Sequence, residues 1–350
     1  MKAARIIETK EPLQIEELDR PSPKNEQVLV SVESCGVCHS DIHLWEGGYA
    51  GSQGEFMSVK ERGVEFPLIP GHEIAGRVKE IGQSVSGFKE GDKVLVYPWI
   101  GEGTCPACRV GEENLCDSPR TLGIYQDGGY AEEVIVPNYR YLINIGVMDV
   151  HSAGLLACSG LTAYTAVNKS HALPSENVLV VGTGGLGLMA IQIAKAVTNS
   201  NVIALDIDDE KLEEAQKNGA DEVINSRTTD AIKRIKDLTG GHGVEAVIDF
   251  VNNEKTASDA IKMLRKRGKL IMVGLYGGSF ELALATVPLK AFTLTGAYTG
   301  NFADLVELTA LAKRGKIKPV VAKRVGLDDI NNTLEELKEG KIAGRAVLTP

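Results

Sequence analysis

Two textures of apolar patterning divide the chain. Over roughly the first 150 residues, short β-type runs (QVLVSVES, AGRVKEIG, DKVLVYPW and YAEEVIVP, in order) are broken by glycine and proline, which predicts an irregular, largely antiparallel unit. From about Ala163 apolar strands alternate with helical stretches: NVLVVG, LGLMAIQIAKAV, NVIALDID, EKLEEAQKNGA, VEAVIDFV, KTASDAIKMLRK and GKLIMVG. That alternation predicts an α/β unit built on a doubly wound parallel sheet. After about Leu294 it stops, and a helical run, FADLVELTALAKRG, leads to the strand-like ending GRAVLTP. The expected division is residues 158–293 for the doubly wound unit, with 1–157 and 294–350 together forming the β-rich one. Phe280 to Thr286 and Phe292 to Tyr298 read as late strands of the doubly wound sheet, whose open apolar edge invites pairing with a second subunit.

Val178 to Gly182 is a buried strand feeding Gly182-Thr183-Gly184-Gly185-Leu186-Gly187, which opens a long apolar helix. The run fits G-x-G-x-x-G in its expected context. Glycines there permit a tight turn, close backbone approach to a pyrophosphate, and close packing of helix on strand. The helix N-terminus adds amide donors and a partial positive charge. Asp206 ends the next strand, where a carboxylate accepts hydrogen bonds from the adenosine ribose hydroxyls. With no arginine following in Ile207-Asp208-Asp209, the pattern predicts NAD rather than NADP. Lys211 sits within reach of the same ribose or is a solvated helix lysine.

Charge and cysteine usage narrow the class. The net charge of −9, from 47 acidic and 38 basic residues with no dense basic block, argues against nucleic acid or an anionic membrane as partner. The polar start MKAARIIETKEPL lacks the apolar core of a signal peptide, and no stretch reaches membrane-spanning length, so a cytosolic location is expected. Six cysteines in such a chain point to metal ligation or burial rather than a disulfide framework. Glu102, Cys105, Cys108 and Cys116 lie within fifteen residues of one Gly- and Pro-containing loop, a spacing that can close a tetrahedral structural zinc site. Cys38, His72 and Cys158 are far apart in sequence, and the residues alone leave packing and ligation both open for them.

Taken together, G-V-C-H-S-D, G-H-E, the E-x-x-C-x-x-C-x7-C lobe, C-S-G-x-T and G-T-G-G-L-G occur in the order seen in the zinc-dependent medium-chain alcohol dehydrogenase family, which this chain resembles over its whole length. A lobe opening on Glu rather than Cys is similar to that of the archaeal members. The resemblance implies a Rossmann unit beside a GroES-like catalytic unit, two zinc ions per chain, NAD, and a homotetramer. It implies that Cys38, His72 and Cys158 hold a catalytic zinc, with Glu73 nearby and Asp41 orienting the His72 ring. Ser40 would bind the substrate hydroxyl and His43 would carry its proton to solvent. Thr162 and the Val273-Gly274-Leu275 segment would border the nicotinamide, and Arg345 would contact the pyrophosphate. Leu44, Trp99, Leu275 and Tyr298 would join Ser40 in a pocket for neutral alcohols, aldehydes and ketones.

Other readings compete. Cys35-Gly36-Val37-Cys38-His39 matches the C-x-x-C-H haem-attachment pattern and contains a dithiol, but no export signal accompanies it. Cys35 is expected as a buried small hydrophobe, and His39 as a neighbour of cofactor phosphates or of solvent. Polyol or sugar dehydrogenases of the same superfamily, a zinc-free quinone reductase, and a non-catalytic nucleotide-binding protein complete the alternatives.

Overall fold

The computed structural model describes residues 1–51, 55–342 and 344–350. Its second half is organised by a six-stranded parallel sheet in the order Glu222–Asn225, Asn201–Asp206, Asn177–Val181, Val244–Asp249, Leu264–Met272, Thr293–Gly296. The central strands are nearly continuous Val, Leu, Ile and Ala because helices cover both of their faces. Helices Gly185–Val197, Asp209–Lys217, Ala231–Leu238 and Glu254–Met263 make the crossovers. Chain order reverses at Asn177–Val181, which is flanked by Asn201–Asp206 on one side and Val244–Asp249 on the other. A crevice therefore opens beyond its carboxyl end, where Gly182 follows.

The first half forms a second, mostly antiparallel sheet around the long strand Val28–Val37. That strand pairs with Glu73–Ile81 along much of its length, with Glu133–Val136 at its start and with Arg345–Leu348 at its end. Two bulges, between Leu29 and Val30 and between Val32 and Ser34, bend it as it changes partners. The late strands Val321–Val325 and Arg345–Leu348 lie parallel to each other and extend this sheet, so the end of the chain joins the β-rich unit. Helix Ser159–Ser170 follows, packed against helix Gly185–Val197 and strands Val244–Asp249 and Leu264–Met272 of the doubly wound unit.

One late segment differs from the sequence expectation. Phe280 to Thr286 forms no strand; residues 273–283 run without a ladder partner and are followed by the helix Thr286–Lys290. Its alternating apolar pattern joins no sheet, and Leu284 and Leu289 remain 83% and 73% exposed. Thr293–Gly296, within the expected late strand Phe292 to Tyr298, pairs in parallel with Lys269–Met272 in the doubly wound sheet and carries it past the expected boundary at residue 293.

Candidate active site

Register assembles the central cluster. Gly36 pairs with Glu73, and Val37 with Ala346, so Cys38 at the end of one strand, His72 and Glu73 at the start of the second, and Arg345 at the start of the third meet at one corner. Cys158 comes to the same corner as the residue preceding helix Ser159–Ser170. Ligand atoms of Cys38, His72, Glu73 and Cys158 all lie within 4.8 Å of one another, and all four residues are buried. Glycine at 36 is required: a Cβ there would stand 1.9 Å from Glu73 Oε2.

Asp41 stands behind the His72 ring. Its Oδ1 is 3.4 Å from His72 Nδ1, and its Oδ2 accepts from the Cys38 amide at 2.8 Å and from the Tyr130 hydroxyl at 2.8 Å. Neither ring nitrogen of the fully buried His72 makes a hydrogen bond, but the Asp41 carboxylate facing Nδ1 favours the proton there and would leave the Nε2 lone pair free. Burial raises the Glu73 carboxyl to about 7, against the pull of Arg345. The Arg345 guanidinium lies 3.2 Å from Glu73 Oε1 and 3.7 Å from Cys38 Sγ, donating also to the Val37 carbonyl at 3.3 Å. Its approach to Glu73 is close enough for ion pairing but poorly angled for a hydrogen bond, so both Glu73 oxygens keep free lone pairs. A proton shared with Cys158 favours the Cys38 thiolate, and Arg345 and His72 add to that. Burial works to lower the His72 pKa, yet the charges of Asp41 and Cys38 outweigh it and raise it. Two thiols, an imidazole and a carboxyl group converging within 4.8 Å are a donor set that could hold a zinc ion.

The loop cluster has a different character. Glu102, Cys105, Cys108 and Cys116 also bring ligand atoms within 4.8 Å of one another, but near the surface. Cys105 Sγ and Cys116 Sγ are 3.8 Å apart, far beyond a disulfide bond, and all six cysteines are free. A tetrahedron with Zn–S bonds of about 2.3 Å has edges of about 3.8 Å, so the spacing fits a shared ion. Glu102 caps the loop as well, accepting from the Thr104 amide at 2.8 Å, the Thr104 hydroxyl at 2.6 Å and the Cys105 amide.

A cavity of about 850 Å³ opens over the glycine turn. It brings together Gly182, Gly184, Gly185, Leu186, Gly187, Asp206, Lys211 and Arg345, and His39 joins them at its rim. Thr162, Val273 and Leu275 lie outside its lining. Asp206 is already engaged: Oδ2 accepts from the Thr183 amide at 2.7 Å and hydroxyl at 3.0 Å, and Oδ1 from the Ile207 amide at 2.7 Å. Sequence reasoning missed Arg227, Asp230, Ile232 and Phe250 on the walls. The signal available was position, since three of them follow the ends of neighbouring strands, where doubly wound sheets bind ligands.

Of the remaining site candidates, His43 is half-buried with its ring 4.5 Å from that of Tyr49, and burial lowers its pKa. Ser40 is also half-buried, two residues after Cys38 on helix His39–Glu46. Leu44 and Trp99 are closed off from solvent. The Trp99 ring lies 5.3 Å from His72 and 5.9 Å from Tyr298, and Tyr298 keeps 45% of its surface open.

Comparison with known proteins agrees with this layout. Residues 24–146 match the alcohol dehydrogenase GroES-like domain, and residues 185–314 match the zinc-binding dehydrogenase family. An NAD-dependent alcohol dehydrogenase of Sulfurisphaera tokodaii is 45% identical over 351 residues, covering 100% of both chains. The chain belongs to the zinc-type medium-chain alcohol dehydrogenase family. The crystal structure of the alcohol dehydrogenase of Aeropyrum pernix superposes with a TM-score of 0.91 at 37% identity, covering 100% of both chains. A D-arabinose 1-dehydrogenase (NADP(+)) of Saccharolobus solfataricus is 35% identical, covering 100% of this chain and 97% of its own. As a family member the chain is an oxidoreductase with a Rossmann sheet beside a GroES-like unit. No helix among the described residues is long and apolar enough to cross a membrane.

Proposed function

We propose that this chain oxidises neutral primary and secondary alcohols reversibly to aldehydes and ketones with NAD, using one catalytic and one structural zinc. The observation that carries the reading is the buried Cys38, His72, Cys158 and Glu73 cluster, which shares Arg345 with the cavity over the glycine turn. A zinc ion at the cluster supplies Lewis acidity, the property that takes water from a pKa of about 15.7 to about 7 and acts likewise on an alcohol. Asp41 fixes the His72 tautomer and ring angle, with Tyr130 and the Cys38 amide fixing Asp41. Arg345 offsets part of the thiolate charge and pairs with Glu73. Ser40 accepts the substrate proton and His43, held near neutral by burial, passes it to solvent. Asp206 and Lys211 take the adenosine ribose, and Thr162, Val273 and Leu275 border the nicotinamide. The four-ligand loop staples a segment too polar to hold itself.

The cleft candidates Ser40, Leu44, Trp99, Leu275 and Tyr298 carry no cation to clamp a carboxylate or phosphate. Polyols would bury hydroxyls without partners, at about 1–3 kcal/mol each. The sugar-dehydrogenase alternative rests on the D-arabinose relative, which its name ties to NADP(+), whereas Asp206 here opposes a 2′-phosphate. Catalytic efficiency with NAD across ethanol, a longer linear alcohol, benzyl alcohol, a cyclic secondary alcohol, sorbitol and glucose decides between them: neutral monohydric alcohols should lead, and sorbitol or glucose ahead would promote the alternative. The chain acts in the cytoplasm as a homotetramer. The exposed Leu284 and Leu289 beside the open edge of Thr293–Gly296 support assembly, and a monomer at micromolar concentration in sedimentation would refute it.

A further inference from the structure

Outside the ligand atoms, the cysteine loop makes a contact to the substrate cleft that no ligand role explains. Asn114, two residues before Cys116, donates from Nδ2 to the Tyr298 carbonyl at 2.9 Å across 184 residues of chain. Tyr298, a wall of the proposed cleft, keeps 45% of its surface open and stands edge-on to Trp99. The next residue, Thr299, has a φ of +47°, a left-handed conformation that a β-branched residue adopts only under constraint, and its buried hydroxyl has no partner. On the far side Tyr97 donates to the Gly300 carbonyl at 3.0 Å. The strained turn is thus pinned from two directions, by a core tyrosine and by the cysteine loop.

We propose that Asn114 is a positioning residue that ties the cysteine loop to the wall of the substrate cleft, so that order in the loop sets which alcohols the cleft accepts. The proposal rests on the alcohol-oxidation reading and extends it from the reacting corner to selectivity. Without the Asn114 donor the Tyr298 carbonyl loses a partner and the turn is free to relax toward an ordinary φ, which rotates the Tyr298 ring relative to Trp99. Small alcohols that need only the corner around Cys38 and Ser40 are indifferent to this movement; substrates that fill the cleft as far as Tyr298 are not. Cys105 and Cys108 hold the loop from its other end, so loosening them reaches Tyr298 through Asn114.

The test uses full-length protein carrying Trp45→Phe, which leaves Trp99 as the sole tryptophan, with and without Asn114→Ala. Catalytic efficiency is measured for ethanol and for a bulky secondary alcohol, together with Trp99 emission and thermal stability. The expected result is a change of about fivefold or more in the bulky-to-ethanol efficiency ratio, the scale of one lost hydrogen bond, carried mainly by KM and accompanied by a shift in Trp99 emission. Asn114→Gln, which keeps the amide, should restore part of both. An unchanged ratio, or equal losses on both alcohols with Trp99 emission unmoved, overturns the proposal. Should the parent turn over no alcohol, the alcohol reading itself fails, while the Trp99 signal still reports whether Asn114 positions the wall.

Discussion

Replacing Gly187 and Gly184 separately with alanine should split two functions that one motif combines. A Cβ at Gly187 would stand 2.0 Å from the Gly182 carbonyl oxygen, where ordinary contact begins near 3.4 Å, so helix Gly185–Val197 must back away by the difference, 3.4 − 2.0 = 1.4 Å. Overpacking of that kind costs about 1–3 kcal/mol. At about 2–4 °C per kcal/mol for chains of 150–250 residues, and less for one of 350, Tm should fall by several degrees and by no more than about 12 °C. The same displacement takes the helix N-terminal amides beyond hydrogen-bonding distance of a pyrophosphate, so NAD affinity falls too. At Gly184 a Cβ meets nothing within 4 Å and φ is −71°, which alanine adopts freely. Its methyl would instead occupy the cavity where the backbone approaches the phosphates. Gly184→Ala should leave Tm within about 2 °C, since a cap exchanging glycine for alanine changes stability only modestly, yet raise the Kd for NAD about tenfold or more. Thermal melts of the apo forms and calorimetric titration with NAD read both quantities. If Gly184→Ala lowered Tm as much as Gly187→Ala and bound NAD normally, the assignment of the turn would be wrong.

The two cysteine clusters should separate in the same way: Cys105→Ser lowers Tm while turnover survives at permissive temperature, and Cys38→Ser abolishes turnover with the smaller loss of Tm. Metal analysis after dialysis should give two zinc ions per wild-type chain and one in each variant. Asp206→Gly should narrow the NAD-over-NADP ratio in catalytic efficiency, and equal use of both cofactors by the unmutated enzyme would contradict the ribose role. Burial acts to raise the Glu245 pKa, but donors from Asn177 at 2.8 and 3.2 Å and from Arg265 outweigh it and lower it. Stability from that carboxylate is therefore fully present above its ordinary value near 4.5 and is lost as pH falls through the lower folded-state value. Glu245→Gln should flatten the decline of Tm with acid below about pH 4.5, and an unchanged slope would argue that Arg265 is solvated.

Local motifs were legible in the sequence and long-range convergence was not. The glycine turn and Asp206 could be read because strand, turn, helix and strand follow one another within thirty residues. The same holds for Glu102, Cys105, Cys108 and Cys116 on a single loop. Cys38, His72 and Cys158 meet through the pairing of Gly36 with Glu73 and through the start of helix Ser159–Ser170, and no spacing rule encodes either. Tyr130 and Asn114 carry no signal at all: one reads as a core aromatic, the other as a loop amide. Phe280 to Thr286 misleads in the opposite direction, because an alternating pattern announces a strand without supplying a ladder partner for it.

The account stands most directly on whether NAD reduction depends on zinc at the buried cluster. Wild-type protein stripped of metal by a chelator, then titrated with zinc, should produce no NADH from benzyl alcohol until metal is returned, and full activity should come back as the second equivalent per chain is bound. Steady NADH formation by the metal-free protein, or none at any zinc loading across neutral alcohols, would contradict it.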